Sequence, residues 1–558
     1  MTVPEVKKNE QQEHAANWVP INEVPVYTPR KTTIVCAGAG YGGLMLAYKI
    51  QEELKCEDLI ELIILEKNDH VGGTWYENHY AGAACDVPAH IYTFMFEPNP
   101  DWSSFYVGSR EILEYITRTT KKYNLDKNVQ FSRKITKVAW DNDTGKWHVS
   151  ATDLTNSSTV GYEADVFVDA SGVLNKWEFP KIKGINDFKG HLVHSVSWDD
   201  DHSYAGERVA VIGNGSSAIQ IMPVIAKEAS YVANLIRNPT WVSTGYAAHL
   251  SRTGRNFKYT EEEKRRFRED PAHFLEYRHR MEHEFNKFFY ALFNDSPEQQ
   301  AVHEQFTEIM RQRLNYDEEL CARLIPDWKV GCRRLTPGDN YLECFASGQA
   351  ELVTQPIDHI GEHSIVLTDG REIEVDAIIA ATGFDVSYLP KWQTSGRKGA
   401  SLEKLWADVP TAYFSVCAPE MPNYFIVNGP NCPIGHGSLL SVMKWTIDYA
   451  VAWTQKLARE DIKSFVPSAG AVADYNEYTQ EFLKRTVWTS GCVSWYKKQG
   501  RVTAMYGGSI LHYKQILDNI RGEDFEIEYR SPNRFRFMGN GLTNAEVEGG
   551  DLATYINK

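Results

Sequence analysis

Apolar residues in this chain gather in short, β-branched runs that stop at glycines, and the spacing of those runs predicts the architecture. Thr32 to Ala37 reads as a buried strand ending at Gly38. Leu44 to Leu54 is compatible with a helix, and a second apolar run, Leu62 to Leu65, closes on Glu66. Val129 to Ser150 alternates as strands do, with a turn at Asp143-Thr144-Gly145. Ala164 to Gly172 returns to a buried strand. The order then repeats: Arg208 to Ile212, a glycine loop from Gly213, and Tyr231 to Ile236, which runs into Arg237. Asp376 to Phe384 reads as the partner of Ala164 to Gly172.

From about Trp241 to Leu324 the pattern becomes charged and aromatic. Asp270-Pro271 and Ser296-Pro297 each supply a cap followed by proline, which starts a helix. Phe274, Met281, Phe285, Phe288, Phe289 and Leu292 fall on one face after the first start. Val302, Phe306, Ile309 and Met310 follow the second. A helical insertion packing its apolar stripe explains these aromatics better than a substrate channel. The expected fold is α/β, with two Rossmann-like dinucleotide-binding domains, the second inserted into the first. The expected limits are an N-terminal arm (1–29), a first domain in two parts (30–172 and 377–558), a second in two parts (173–240 and 326–376), and the helical insertion (241–325).

Composition narrows the partners. A chain of 558 residues carries 59 basic against 74 acidic side chains, a formal charge of −15, which disfavours nucleic acid or an anionic membrane. Nine cysteines stand singly with no Cys-x-x-Cys, the pattern of free thiols in a reducing compartment. Lys7, Lys8 and Glu10 interrupt any leader-like apolar stretch, and no run approaches the ~18 apolar residues of a membrane span. A cytoplasmic location follows as the expectation, with no metal site and an oligomeric state left open. Asn214-Gly215-Ser216 is formally a glycosylation motif, but a glycan there would block the second glycine loop.

The candidate chemistry lies in the two loops. Gly38, Gly40 and Gly43 follow a strand and open a helix, so backbone N–H groups can meet a pyrophosphate, while Glu66 at the next strand end can accept from a ribose. Gly213, Asn214, Gly215, Ser216, Ser217 and Ala218 form the second loop. Its next strand ends on Arg237 rather than an acid, and Arg333 and Arg334 come later. A guanidinium fork suits a 2′-phosphate, so NADP is the expected second nucleotide.

Between the loops, Phe188-x-Gly190-x-x-x-His194-x-x-x-Trp198-Asp199 resembles the signature of Baeyer–Villiger monooxygenases, the class B flavoprotein monooxygenases. Gly72-Gly73-Thr74-Trp75-Tyr76, the block Tyr80 to Pro88 and Tyr92 resemble that family too, in which they line the flavin. Ala81 and Ala84 depart from it, standing where many members carry Pro and Arg. Cys332-Arg333-Arg334 resembles the family's basic pair, and Asn428-Gly429-Pro430-Asn431 and Ser494-Trp495-Tyr496 resemble its closing segments more loosely. The resemblance implies FAD in the first loop, NADPH in the second, and conversion of a ketone to an ester or lactone with dioxygen, through a peroxyflavin. It implies Arg334 as the catalytic arginine, Asp86 near the nicotinamide and orienting Arg334, Arg333 on the NADP phosphate, and Gly73, Thr74, Trp75, Tyr92 and Trp495 around the cofactors. His194 and Trp198 are assigned to a hinge between domains. Two alternatives stay open: a related flavin monooxygenase acting on nitrogen or sulfur, and a non-catalytic FAD/NADP redox sensor.

Overall fold

The computed structural model describes residues 15–243 and 255–556. Residues 1–14 of the expected arm, 244–254 of the expected insertion and the final two residues lie outside the described residues. The first sheet begins where the apolar runs predict, with β1 (Thr32–Ala37), β2 (Ile60–Leu65), β3 (Val129–Gln130) and β4 (Val166–Asp169), all parallel. Side chains of β1 alternate between two cores. Ile34 and Cys36 join Leu44 and Leu46 of helix α1 (Tyr41–Tyr48), whereas Val35 and Ala37 join Trp140 and Trp147 of a four-stranded, mainly antiparallel sheet. Burial on both faces is why these runs read as continuously apolar. The helix expected over Leu44–Leu54 starts earlier, at Tyr41, and its end (Lys49–Glu53) widens into a π-helical turn.

A second parallel sheet follows, built from β5 (His191–His194), β6 (Arg208–Ile212), β7 (Tyr231–Leu235), β8 (Glu351–Val353) and β9 (Ala377–Ala380) in the order β8-β7-β6-β9-β5. Helix α2 (Ser216–Ile225) packs Ile219 and Met222 against Val209 and Val211 on one face. A three-stranded antiparallel sheet packs Ile360 and Ile365 against Ala210 and Ile212 on the other.

One expectation is corrected here. Ala377–Ala380 does not return the chain to the first sheet, so the boundary expected between 376 and 377 falls too early. This strand lies between β6 and β5, and the strand that joins β4 is β10 (Tyr424–Ile426). A four-residue run buried on both faces carries no mark of which sheet it enters. His194, assigned to a hinge between domains, lies in the edge strand β5, fully buried and stacked on Trp177 at 4.5 Å.

The insertion contains α3 (Glu261–Glu269), α4 (Pro271–Lys287), α5 (Pro297–Arg313) and α6 (Glu318–Leu324). Asp270 and Ser296 cap α4 and α5 as the sequence predicts, accepting from His273 N and Gln299 N. Phe274, Met281 and Phe285 of α4 enter the core of the first sheet, while Phe306 and Met310 of α5 enter that of the second. At about 1.5–3 kcal/mol for each fully buried side chain, the insertion fastens both halves together. The long helix α7 (Leu439–Arg459) closes over α1. The described part of the arm lies against the C-terminal segment, with Val26 N and Tyr27 N donating to Leu542 O and Phe537 O. Among the described residues no helix is long and apolar enough to cross a membrane.

Candidate functional site

The first glycine loop is tightly enclosed. Gly38 turns with φ +99°, and a Cβ there would lie 2.9 Å from Ala170 O. A Cβ on Gly43 would lie 2.1 Å from Gly38 O, so the start of α1 can sit close to the end of β1 only without a side chain. Gly73 meets Gly40 closely enough that a Cβ on Gly73 would be 3.0 Å from Gly40 Cα. Gly40 caps α1 without a side-chain bond, so the first-turn N–H groups remain to serve an anion. Glu66 is 3% exposed; its oxygens accept from Ala39 N (2.7 Å) and Asn68 N (2.9 Å). Burial raises its pKa against those two bonds. An ionised carboxylate has further lone pairs for a ribose hydroxyl. From the short helix Thr74–Glu77, Trp75 donates Nε1–H to Tyr92 Oη at 3.1 Å, and Tyr92 packs edge-on to Tyr41 at the start of α1.

The second loop is more open. Gly213 turns with φ +115°, and a Cβ there would lie 2.4 Å from Ala381 O. Gly215, which caps α2 without a side-chain bond, is exposed, with no atom within 4 Å of where a Cβ would be. Asn214 donates Nδ2–H to Asn238 O at 2.6 Å, Ser216 Oγ shares a hydrogen bond with Thr336 Oγ1 at 2.6 Å, and Ala218 is fully buried. Ser217 lies beside the Tyr80 hydroxyl. Arg237 is exposed; Arg333 is half-buried and donates to Pro239 O at 3.3 Å. Burial lowers the Arg333 pKa, and the like charge of Arg237 lowers it further. The two guanidiniums lie close enough to repel each other, and such a pair fits a phosphate.

The halves meet at a bidentate ion pair. Arg334 donates from Nε to Asp86 Oδ2 and from Nη2 to Asp86 Oδ1, both at 2.7 Å, and from Nη1 to Ile434 O at 2.9 Å. The structure thus brings Asp86 and Arg334, 248 residues apart, into the pairing expected of them. Trp495 packs edge-on to Tyr496 at 4.7 Å, and Tyr496 lies near Arg333.

Three features went unpredicted. Gln220 of α2 ties the halves together, accepting from Tyr80 Oη–H at 2.7 Å and donating to Ala84 O at 2.9 Å. A glutamine within the apolar helix Ser-Ser-Ala-Ile-Gln-Ile-Met was the available signal. The carbonyl of Ile434 carried none, because any residue has one. The third corrects an expectation: the thiols are not all free, because Cys332 and Cys492 form a disulfide with a Cα–Cα distance of 6.3 Å. The other seven cysteines are unpaired. Single cysteines 160 residues apart give no local sign of meeting.

A family described as flavin-binding monooxygenase-like matches residues 30–255. Over 547 residues the chain is 44% identical to the FAD-binding monooxygenase tazF of Aspergillus terreus, covering 97% of each chain. It is 32% identical over 498 residues to a Baeyer-Villiger monooxygenase of Pseudomonas aeruginosa, covering 87% of this chain and 90% of the relative. Among solved structures, cyclohexanone monooxygenase from Rhodococcus sp. Phi1 bound to NADP+ superposes with a TM-score of 0.76 at 24% identity, over 90% of this chain and 100% of that one, a likeness of fold.

Proposed function

Because the chain belongs to the flavin-binding monooxygenase-like family, we propose that it is a Baeyer–Villiger monooxygenase that converts a ketone to an ester or lactone with FAD, NADPH and dioxygen. The observation that carries the reading is the Arg334–Asp86 fork, set where the two glycine-loop halves meet. Bound FAD and NADPH would supply hydride transfer and the activation of dioxygen. The residues present fit both groups. Gly38, Gly40, Gly43 and Gly73 let backbone pack on backbone so tightly that the start of α1 closes on the end of β1, which leaves its first-turn N–H groups for a pyrophosphate, and Glu66 offers its carboxylate to a ribose. Gly213, Gly215 and the start of α2 form the corresponding cradle for NADPH, with Arg237 and Arg333 on its 2′-phosphate.

Oxygen insertion beside a carbonyl builds negative charge on the former carbonyl oxygen, and the rate depends on cations already in place to receive it. A guanidinium keeps its charge at any working pH. Three of the five N–H donors of its guanidinium are held by Asp86 and Ile434 O, so the plane is fixed before substrate arrives. Asp86 acts through Arg334, as the group that positions it. Trp75 and Tyr92, bonded to each other beside α1, wall the first loop.

The test measures NADPH consumption and product formation with linear, cyclic and aryl ketones, and with an amine and a thioether in parallel. Ketone-dependent consumption with ester or lactone formed in proportion supports the reading. Oxygenation of the amine or thioether alone would overturn it.

A further inference from the structure

We infer that Cys332 and Cys492 are a redox modification site: a disulfide, reversibly opened by a dithiol, that holds the Arg333–Arg334 segment against the segment carrying Trp495 and Tyr496. The inference rests on the reading above only in taking Arg333 as a contact of NADPH.

The bond joins segments from different halves of the molecule. Cys332 immediately precedes Arg333 in the connection from α6 to residues Thr336–Pro337, and Cys492 stands three residues before Trp495. On the near side, Gln299 of α5 fixes Val330 by exchanging hydrogen bonds with its N–H (3.1 Å) and carbonyl (3.0 Å). Arg333 itself is held to protein by a 3.3 Å bond to Pro239 O, and it is flanked by two firm attachments, the Arg334 fork on Asp86 and the covalent bond at Cys332. On the far side, Lys497 Nζ donates to Ser490 O (2.5 Å) and Cys492 O (2.9 Å), gathering the Cys492 loop.

The surroundings favour exchange in one direction. Both sulfur-bearing residues are buried, but Cys492 sits between exposed Gly491 and Val493, the latter 77% exposed, so an attacking thiolate reaches Cys492 first. Lys497 Nζ lies 3.9 Å from Cys332 Sγ, where its positive charge stabilises a departing thiolate. In reduction, a thiolate of the dithiol bonds to Cys492 Sγ, the S–S bond breaks, and its electron pair leaves on Cys332 Sγ. The second thiolate of the dithiol then attacks the mixed disulfide and releases Cys492. The dithiol departs as a disulfide, and the two protons it gave up reside on the two cysteines. A disulfide oxidant such as oxidised glutathione reverses the sequence.

Full-length flavoenzyme purified without reductant, then unfolded in iodoacetamide, should take up label on the seven unpaired cysteines, and on all nine after dithiothreitol. Stopped-flow reduction of the flavin by NADPH, anaerobic and without ketone, would compare the oxidised enzyme with enzyme reduced and freed of dithiothreitol. Reduction should raise the NADPH concentration for half-maximal rate by ~10-fold, the scale of one misplaced charged contact, with the limiting rate little changed. Cys332→Ser, Cys492→Ser and the double variant should match the reduced enzyme and ignore oxidised glutathione, which should restore the wild type. Flavin content reports folding, and if a variant folds poorly the reduced wild type still decides. Labelling of nine cysteines even after oxidised glutathione, or identical NADPH dependence in the two forms, would overturn the inference. Failure to oxygenate ketones would instead count against the proposed reaction, leaving the thiol count and the anaerobic reduction unaffected.

Discussion

The two glycine loops share one pattern and differ in enclosure. In the first, all three glycines abut backbone: Gly38 against Ala170, Gly40 against Gly73, and Gly43 against Gly38 itself. Its acid, Glu66, is buried. In the second, only Gly213 is confined; Gly215 faces open space, the third position tolerates the methyl of Ala218, and the basic end is an exposed Arg237. One motif therefore serves two physical ends. A closed loop suits a nucleotide held through many turnovers, and an open one, with charge at its rim, suits a nucleotide that exchanges.

The contrast can be broken hardest at Gly43. Gly43→Ala drives a Cβ to 2.1 Å from Gly38 O, a backbone atom that cannot turn aside. Thermal unfolding should show a loss of about 3 kcal/mol or more, the upper end for overpacking, with little flavin retained on gel filtration. Gly38→Val should fail for a related reason: its Cβ meets Ala170 O at an unfavourable positive φ, rather than a pyrophosphate. The second test is at the junction. Arg334→Ala should lower ketone oxygenation by ~10²-fold or more while FAD stays bound and NADPH still reduces it, and Arg334→Lys should rescue poorly because it lacks the fork. An intact oxygenation rate in Arg334→Ala would mean that another cation receives the charge. The third is on the open side: Arg237→Ala should narrow the preference for NADPH over NADH in kcat/KM by ~10-fold, the scale of one charged contact. The smallest is the converse of the first. Ala218→Gly should cost about 1–2 kcal/mol, from helix propensity and a lost buried methyl, and should leave NADPH binding near normal.

Much of the fold was legible because its signals are local. The run Thr32–Ala37 is β1 to the residue, since a strand buried on both faces must be apolar throughout and must stop at the turning glycine. Asp270 and Ser296 were legible as caps because their side chains satisfy N–H groups three residues away. The placement of Ala377–Ala380 was not legible. Its four small and apolar residues fit either sheet, and its neighbours β5 and β6 were chosen by packing among distant strands. Gln220 stood out as a polar residue in an apolar helix, but its partners Tyr80 and Ala84 lie about 140 residues away.

The sequence by itself determined what depends on short-range chemistry: two strand–glycine–helix units, an acid after one and an arginine after the other, and the residue types able to hold two nucleotides. The tertiary structure decided which side chains from separate units touch. It placed Asp86 under Arg334, put Arg237 beside Arg333, and joined Cys332 to Cys492. Those contacts depend on where two sheets and a helical insertion dock. Docking is set by the shapes of cores assembled from the whole chain, which no local pattern encodes.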